Sequence, residues 1–330
     1  MKTANYLTLD TETCTLAFVN EMNLTPEQKK NVAIARPLVY DIGWTIANRT
    51  QGITDKRQFL VAETFCVPSV FNTAYYAEKR PRYLEMLAKG ETKILPWNDI
   101  VAILLEDLKN VKYICAYNAM FDFKRAISFT ELYISKLYSP SYYEWENVQR
   151  KICSSIAANV KAESHNEFDP EHFNFRGVNY PMIDVWGMAC QHLLNTDAYK
   201  HYCLENGYIS NRGSYFSTNA ENAMRYLSKN NDFIESHTAL DDAEIETEIL
   251  FKALKKGKII QGIVYFPFRL LGDVEDFVME NNKITLQMAQ MAYDKIREYA
   301  YKDDPDFNRC QVMALDKALC LKNYIAKNWD

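Results

Sequence analysis

Two carboxylates stand two residues apart near the start of the sequence, Asp10 and Glu12 in the stretch LTLDTET. The stretch resembles a short strand, and side chains two positions apart in a strand point to the same face. The two carboxylates can therefore share a hard cation such as Mg²⁺ or Mn²⁺. The spacing alone is a weak signal, because Asp-x-Glu also begins at Asp169, Asp242 and Asp273, and a polar strand end would explain it as well.

A second acidic stretch, YNAMFDF at residues 117–123, begins at the end of the predicted strand over residues 111–118. It places Asn118 and Asp122 where the strand gives way to a helix from about Phe121. In open α/β sheets, ligand sites gather at such strand ends. An aspartate in the first turn of a helix also stabilises that helix by about 0.3–1 kcal/mol without any function, so both interpretations of Asp122 stay open.

The third stretch, SHTALDD at residues 236–242, contains one of five histidines followed by two adjacent aspartates. Thr238 and Asp241 fit a capping box, with Thr238 as the N-cap and Asp241 at the third helical position. In that register His237 precedes the cap and Asp242 is the fourth helical residue, and these two positions meet at helix starts. The sequence therefore predicts a structural role for Asp241 and an imidazole beside the carboxylate of Asp242.

The three stretches share a position at the ends of predicted elements. Together they bring four carboxylates from three separate segments, with a histidine beside the last of them. Burying four like charges without a counter-ion would be very costly. If these groups converge in the fold, they require bound metal ions.

The elements that must position these residues alternate between strands and helices. The pattern predicts strands over 5–13, 36–50, 56–67, 111–118 and at the start of 180–194, and helices over 95–110, 219–230 and 239–257. This order favours an α/β layer fold with a mixed sheet. We predict a first domain over residues 1–261 with an irregular or partly helical insertion at about 138–180. A mainly helical C-terminal appendage follows over 262–330, broken by an acidic stretch at 302–308.

Composition limits the class of protein. Of the 330 residues, 48% are hydrophobic and 25% are charged, which is typical of a globular chain. The net charge of −5 argues against binding nucleic acid only through a large basic surface, but permits an enzyme whose metal ions face the substrate phosphate. The eight scattered cysteines predict reduced thiols and no structural zinc. No stretch has the pattern of a signal peptide or a membrane span, so we expect a cytoplasmic, intracellular protein without a membrane partner.

In order along the chain, LTLDTET, YNAMFD and HTALDD resemble the three motifs of the DEDDh 3′→5′ exonuclease superfamily, the group related to polymerase proofreading subunits. The resemblance covers about residues 5–255 and implies a ribonuclease H-like fold, a mixed five-stranded sheet flanked by helices. The family places its histidine five residues before the last aspartate, which here selects Asp242. The related branch has a tyrosine four residues before that aspartate, where this chain has Thr238, and a threonine cannot replace it. Tyr117 departs from the pattern, because many relatives have histidine there.

The resemblance also implies a division of tasks among the site residues. The metal ligands would be Asp10, Glu12, Asp122 and Asp242, the general base His237, and the substrate-binding residues Thr11, Thr13, Asn118 and Phe121. The ligands would hold two divalent ions, Mg²⁺ or Mn²⁺, about 3.5–4 Å apart at the scissile phosphate. His237 would accept the proton of the attacking water. The catalytic set would thus be His237 with the four carboxylates.

The activity implied is hydrolysis of single-stranded DNA from the 3′ end, releasing nucleoside 5′-monophosphates. An exoribonuclease or a short-oligonucleotide phosphodiesterase would use the same site, since discrimination by the ribose 2′-hydroxyl cannot be read from these motifs. A non-catalytic nucleic-acid-binding or partner-binding module on this fold is the alternative outside enzymes. The predicted partner is a nucleic-acid 3′ end, and residues 262–330 are expected to serve a homodimer or a replication or repair partner.

Overall fold

The computed structural model describes residues 5–158, 169–210, 214–301 and 309–329, with the backbone alone at 309 and 310. The middle of the predicted insertion, residues 159–168, lies outside the described residues, as does the acidic stretch 302–308.

The chain divides into two compact units, and neither is continuous in sequence. The first comprises the residues up to Val185 together with Glu235–Phe251 and Ile260–Ile263. The second comprises Trp186–Ile234, Lys252–Ile259 and the residues from Val264 onward. The domain boundary predicted after residue 261 stays a prediction.

A seven-stranded mixed sheet forms the centre of the first unit. Its strands are β1 (Asn5–Cys14), β2 (Leu38–Asn48), β3 (Gly52–Val61), β4 (Lys93–Leu95), β5 (Tyr113–Ala116), β6 (His172–Phe175) and β7 (Val178–Asp184). Their spatial order is β4-β3-β2-β1-β5-β7-β6. β1 pairs antiparallel with β2 and parallel with β5, which places it in the middle of the sheet. The predicted α/β class with a mixed sheet is confirmed.

The prediction of five strands is wrong, because two short edge strands extend the sheet. β4 has three residues and pairs with the end of β3. β6 lies within the segment predicted as an irregular insertion and pairs antiparallel with β7. The turn between them, Arg176 and Gly177, has positive φ at both positions (48° and 84°), as a type I′ hairpin turn requires. Phe173 and Phe175 of β6 are buried, so this polar stretch still contributes apolar side chains to the core.

Helices form most of the remaining chain in the two units. In chain order they are α1 (Pro26–Ala35), α2 (Ala62–Phe65), α3 (Pro68–Phe71), α4 (Arg80–Lys89), α5 (Trp97–Leu108), α6 (Ala119–Phe121), α7 (Ser128–Leu137), α8 (Tyr142–Ala157), α9 (Val185–Ala189), α10 (Asp197–Asn206), α11 (Ala220–Ser228), α12 (Ala239–Lys256), α13 (Val274–Glu280), α14 (Leu286–Ala300) and α15 (Arg309–Trp329). α5 buries Ile100, Leu104 and Leu108 at helical spacing, as its sequence pattern predicts. Almost every residue of β2 is buried, which requires cover on both faces of the sheet.

Gly43 on β2 allows α12 to approach the sheet. It lies opposite Asp10 in the β1–β2 register, and a Cβ built at this position would fall 2.3 Å from the backbone nitrogen of Leu240. A glycine is therefore required for this contact. Asp41, two residues earlier, accepts a hydrogen bond from the N–H of Ala239 at 3.0 Å. This bond satisfies one of the free N–H groups at the helix start. β2 therefore allows the close approach of α12 through Gly43 and caps its first turn through Asp41.

The second unit, taken by itself, is mainly helical. α13, α14 and α15 confirm the helical character predicted for the C-terminal segment. Lys317 on α15 places its Nζ 2.6 Å from both Asp273 Oδ2 and Glu275 Oε1, and this pairing offsets the cost of removing the charges from water. None of the described helices is long and apolar enough to cross a membrane.

Candidate metal centre

Asp10 and Glu12 lie near the end of β1, beyond the point where β5 pairs with it. The β1–β5 pairing ends at Thr8, so β5 leaves the following backbone groups of β1 to other partners. Asp122 is such a partner. Its carboxylate accepts a hydrogen bond from the Thr11 hydroxyl at 2.7 Å and another from the Thr11 backbone N–H. Thr11 is buried and thereby links the first acidic stretch to the second.

Asp122 follows a turn at the end of β5. The strand ends at Ala116, and Asn118 adopts a left-handed conformation with φ 71°, which asparagine tolerates better than most residues. The Asn118 N–H donates to Asp184 Oδ1, at the end of the neighbouring β7, at 3.2 Å. Asp122 then begins a π-helical turn with its carboxylate buried. The predicted strand–helix junction of the second stretch is confirmed.

His237 and Asp242 meet at the start of α12. The helix begins at Ala239, and His237 has a left-handed backbone with φ 52°. The Nδ1 atom of His237 lies 4.0 Å from Asp242 Oδ2 and 3.9 Å from Glu235 Oε2. The predicted closeness of imidazole and carboxylate is confirmed, and Glu235 is a second acidic neighbour that was not predicted.

The adjacent Asp241 has a different set of partners. Its Oδ2 accepts hydrogen bonds from the Ser236 hydroxyl at 2.6 Å and the Thr238 hydroxyl at 2.9 Å. Arg82 donates to the same oxygen at 3.1 Å. The side chain of Asp241 is 47% exposed, against 9% for Asp242. One aspartate therefore stabilises the helix start, and its neighbour belongs to the acidic cluster.

The predicted carboxylates and His237 converge on one place. Ligand atoms of Glu12, His237 and Asp242 all lie within 4.8 Å of one another. Burial raises the pKa of Asp10 well above its ordinary value, and the charges of the surrounding carboxylates, including Asp122, raise it further. We call Asp10, Glu12, Asp122 and Asp242 the carboxylate cluster.

The carboxylate cluster has the properties of a cation site. Burial raises the pKa of Asp122 to about 7, that of Asp242 to about 8 and that of Glu12 well above its ordinary value. The Lys79 ammonium lowers the pKa of Glu12 and Asp242, but by less than burial raises it. The Oδ1 atom of Asp242 is buried and has no hydrogen-bond partner among the described residues. Oxygen ligands of this kind suit hard divalent ions such as Mg²⁺ and Mn²⁺, so these residues could hold a metal ion.

A fifth carboxylate, Glu246, adjoins the carboxylate cluster and was not predicted. It lies one helical turn after Asp242 on α12 and is buried. Its Oε2 accepts the N–H of Tyr117 at 3.0 Å, which ties α12 to the second acidic stretch. Among the neighbouring charges that raise the pKa of Asp10, that of Glu246 has the largest effect. The available signal was its spacing from Asp242, since residues four apart share a helix face.

The segment around Tyr76, between α3 and α4, is a second unpredicted part of the site. The Tyr76 ring stacks on the His237 imidazole, with 4.5 Å between ring centroids and an interplanar angle of 17°. Its hydroxyl lies 3.4 Å from His237 Nε2. The Lys79 ammonium lies 4.2 Å from the centroid of the Tyr76 ring. No spacing in the sequence signals the stacking, because the two residues are 161 positions apart.

The four residues predicted to bind substrate differ in accessibility. Thr11 is buried, and its hydroxyl is bonded to Asp122. Asn118 is exposed, while Thr13 and Phe121 are half-buried. Thr11 thus links two parts of the fold, and substrate contact by all four residues stays a prediction.

The raised carboxylate pKa values predict that the metal-free protein loses stability as the pH rises. The pKa of Asp242 is about 8 in the folded state, against about 4 for an unfolded aspartate, so the folded state binds this proton more tightly. Its stabilising contribution is complete below about pH 4 and is lost as the pH rises to about 8. We expect the Tm of EDTA-treated protein to fall between about pH 5 and pH 8.5, and saturating Mn²⁺ to raise Tm more at the higher pH.

Sodium chloride at the same ionic strength is the control for this measurement. Screening by a monovalent salt should recover only part of the lost Tm, because buried pairs are screened little. A Tm that rises over this pH range, or a sodium effect equal to that of Mn²⁺, would argue against a cation site in the carboxylate cluster.

Comparison with known proteins identified no relative of this chain. No protein-family model, no curated protein and no solved structure matches the chain. The geometry of the carboxylate cluster and His237 is therefore the basis for assigning a function.

Proposed function

We propose that this protein is a metal-dependent 3′→5′ exonuclease that hydrolyses single-stranded DNA and releases nucleoside 5′-monophosphates. The observation that carries the proposal is the convergence of four carboxylates and a histidine from three segments, namely Asp10, Glu12, Asp122, His237 and Asp242. Asp122 and Asp242 are buried and Asp10 and Glu12 half-buried, which is costly for like charges without cations, and the residue set is the one expected of the DEDDh superfamily. The five inner strands form a mixed sheet surrounded by helices, which supports a ribonuclease H-like fold.

The metal ligands in this proposal are residues of the carboxylate cluster. Asp10, Glu12 and Asp242 would hold the ions, and Asp122, fixed by Thr11, would contribute directly or through water. When bound, two Mg²⁺ or Mn²⁺ ions activate water and offset negative charge at the scissile phosphate.

His237 supplies the proton acceptor. An imidazole accepts protons near neutral pH, and the nearby Glu235 and Asp242 carboxylates, 3.9 and 4.0 Å from Nδ1, stabilise the imidazolium that forms. As a water proton moves to His237, the water oxygen bonds to phosphorus and the bond from phosphorus to the 3′-oxygen breaks. The leaving oxygen takes a proton from solvent, and the released nucleotide carries a 5′-phosphate.

A nuclease assay with oligonucleotides labelled at either end tests the proposal. Single- and double-stranded DNA and RNA are incubated with Mg²⁺, Mn²⁺ or EDTA, and the products are resolved by length. We expect a ladder that shortens from the 3′ end of single-stranded DNA with either metal and is absent with EDTA. An Asp242→Asn variant purified in the same way controls for a contaminating nuclease.

The remaining outcomes of this assay separate the alternatives. A ladder from RNA alone would make the protein an exoribonuclease, and cleavage of only the shortest substrates would make it an oligonucleotide phosphodiesterase. Cleavage from the 5′ end would contradict the proposed polarity. If no substrate is hydrolysed with either metal, the proposal is wrong and a non-catalytic binding module on this fold is favoured.

A further inference from the structure

Tyr76 covers one face of the imidazole that serves as general base in the proposed function. The two rings are nearly parallel, 17° apart, with 4.5 Å between their centroids. Tyr76 is half-buried, whereas the neighbouring Tyr75 is 74% exposed. Stacking of this kind favours the His237 rotamer that keeps the imidazole parallel to the tyrosine ring.

The backbone that carries His237 is held by the same segment. The left-handed conformation of His237, with φ 52°, persists only where surrounding contacts impose it. Lys79 and Arg82 each donate a hydrogen bond to the Ser236 carbonyl at 3.0 Å. The Lys79 ammonium also lies over the Tyr76 ring, 4.2 Å from its centroid, which is a cation–π distance. Residues 76–82 therefore contact both the Ser236 carbonyl and the imidazole ring of His237.

The orientation held in this way directs the imidazole toward the carboxylate cluster, with Nδ1 4.0 Å from Asp242 Oδ2. A general base must stay within hydrogen-bond reach of the water that it deprotonates. Misplacement by about 1 Å costs on the order of 10²-fold in rate. Resting on the proposed function of this site, we propose that Tyr76 is a positioning residue for His237, and that Lys79 holds Tyr76 in place.

The orientation of His237 can be measured without any activity, because the chain has only five histidines. Their Cε1–H groups give five signals in a ¹H–¹³C spectrum, and His237→Ala identifies the signal of His237. We expect Tyr76→Leu to shift that signal alone, because the ring current of the stacked tyrosine is lost, and Tyr76→Phe to leave it nearly in place. Tyr138→Leu, at a tyrosine that is 81% exposed, is the matched control. A His237 signal unchanged in Tyr76→Leu would overturn the proposal.

Kinetics of the same variants separate positioning from a general structural contribution. Tyr76→Leu is expected to lower kcat by about 10–100-fold, with little change in KM or in the Mn²⁺-induced rise of Tm. Tyr76→Phe should rescue most of the wild-type kcat. In a His237→Ala background, Tyr76→Leu should cause no further loss, because its target is already absent. Additive losses would show that Tyr76 acts on something other than His237.

The two experiments distinguish failure of the exonuclease proposal from failure of the positioning role of Tyr76. If the wild-type protein hydrolyses none of the nucleic acids, the proposed function is wrong, and the His237 signal alone decides whether Tyr76 fixes the imidazole. If the wild type is active and Tyr76→Leu is equally active, the exonuclease proposal stands and the positioning role is overturned.

Discussion

The His237→Ala variant is expected to lose about 10²–10⁴-fold in kcat, the usual contribution of a positioned general base. The substitution removes the imidazole and leaves every member of the carboxylate cluster in place. Mn²⁺ or Mg²⁺ should therefore still raise the Tm of the variant by nearly the wild-type amount. Single-turnover rates on 5′-labelled DNA at saturating metal, together with thermal unfolding, measure the two effects.

A second histidine variant provides the control. The Nδ1 atom of His172 lies 3.1 Å from Asp169 Oδ2, and neither residue belongs to the carboxylate cluster, so His172→Ala should keep wild-type activity. Equal kcat values for His237→Ala and the wild type would remove His237 from the mechanism. If the metal-induced rise of Tm is lost along with activity, His237 is a metal ligand, which its position within 4.8 Å of ligand atoms of Glu12 and Asp242 would permit.

The Asp242→Asn variant should lose at least about 10²-fold in kcat/KM, since even residues that only support a metal ligand contribute about 10–100-fold. Asparagine keeps the shape of the side chain and removes the charge that a cation requires. Asp241→Asn should change activity little, because the surface ion pair of Asp241 with Arg82 is worth about 0–1 kcal/mol. Rates measured over a range of Mn²⁺ concentrations rank the two variants.

Stability should move in the opposite direction from activity for Asp242→Asn. Burial raises the pKa of Asp242 to about 8, so ionisation of this carboxyl destabilises the metal-free fold at alkaline pH. The neutral asparagine avoids that cost, and the metal-free variant should exceed the wild type in Tm at about pH 9 but not at about pH 4. A lower Tm at both values would indicate general damage to the fold. Greater loss of activity in Asp241→Asn than in Asp242→Asn would mean that Asp241 is the ligand.

Local geometry made much of the candidate site predictable. Asp10 and Glu12 follow the alternation of a strand, and the closeness of His237 to Asp242 follows from the geometry of a helix start. Such rules act within a few residues, so they can be read directly from the sequence. No local rule brings the three segments together, and that expectation depended on the family resemblance.

Contacts between distant segments were not predictable in this way. Glu246 bonds to Tyr117 across 129 positions, and Tyr76 stacks on His237 across 161. The spacing of Glu246 from Asp242 places both on one helix face, but the same spacing occurs on helix faces that are exposed to solvent. Only the packing of α12 on the sheet distinguishes the two cases.

The two additional strands illustrate a similar limit. β6 alternates polar and apolar residues over only four positions, HFNF, and is defined as a strand by pairing such as that of Phe175 with Val178 across the Arg176-Gly177 turn. β4 has only three residues, too few to show a strand period. Both strands lie at sheet edges, where pairing on one side is enough to define a strand.

Gly43 shows how a residue without a functional group can determine the distance between two carboxylates. A methyl group at this position would push the backbone of Leu240 away from β2, and Asp242 would move with the helix. Asp10, which lies opposite Gly43, would stay on its own strand. In a mutational scan scored for nuclease function, position 43 would therefore rank with the acidic residues themselves. If the proposed function is correct, evolutionary constraint on the distance between these two carboxylates would then act on a glycine that supplies no ligand atom.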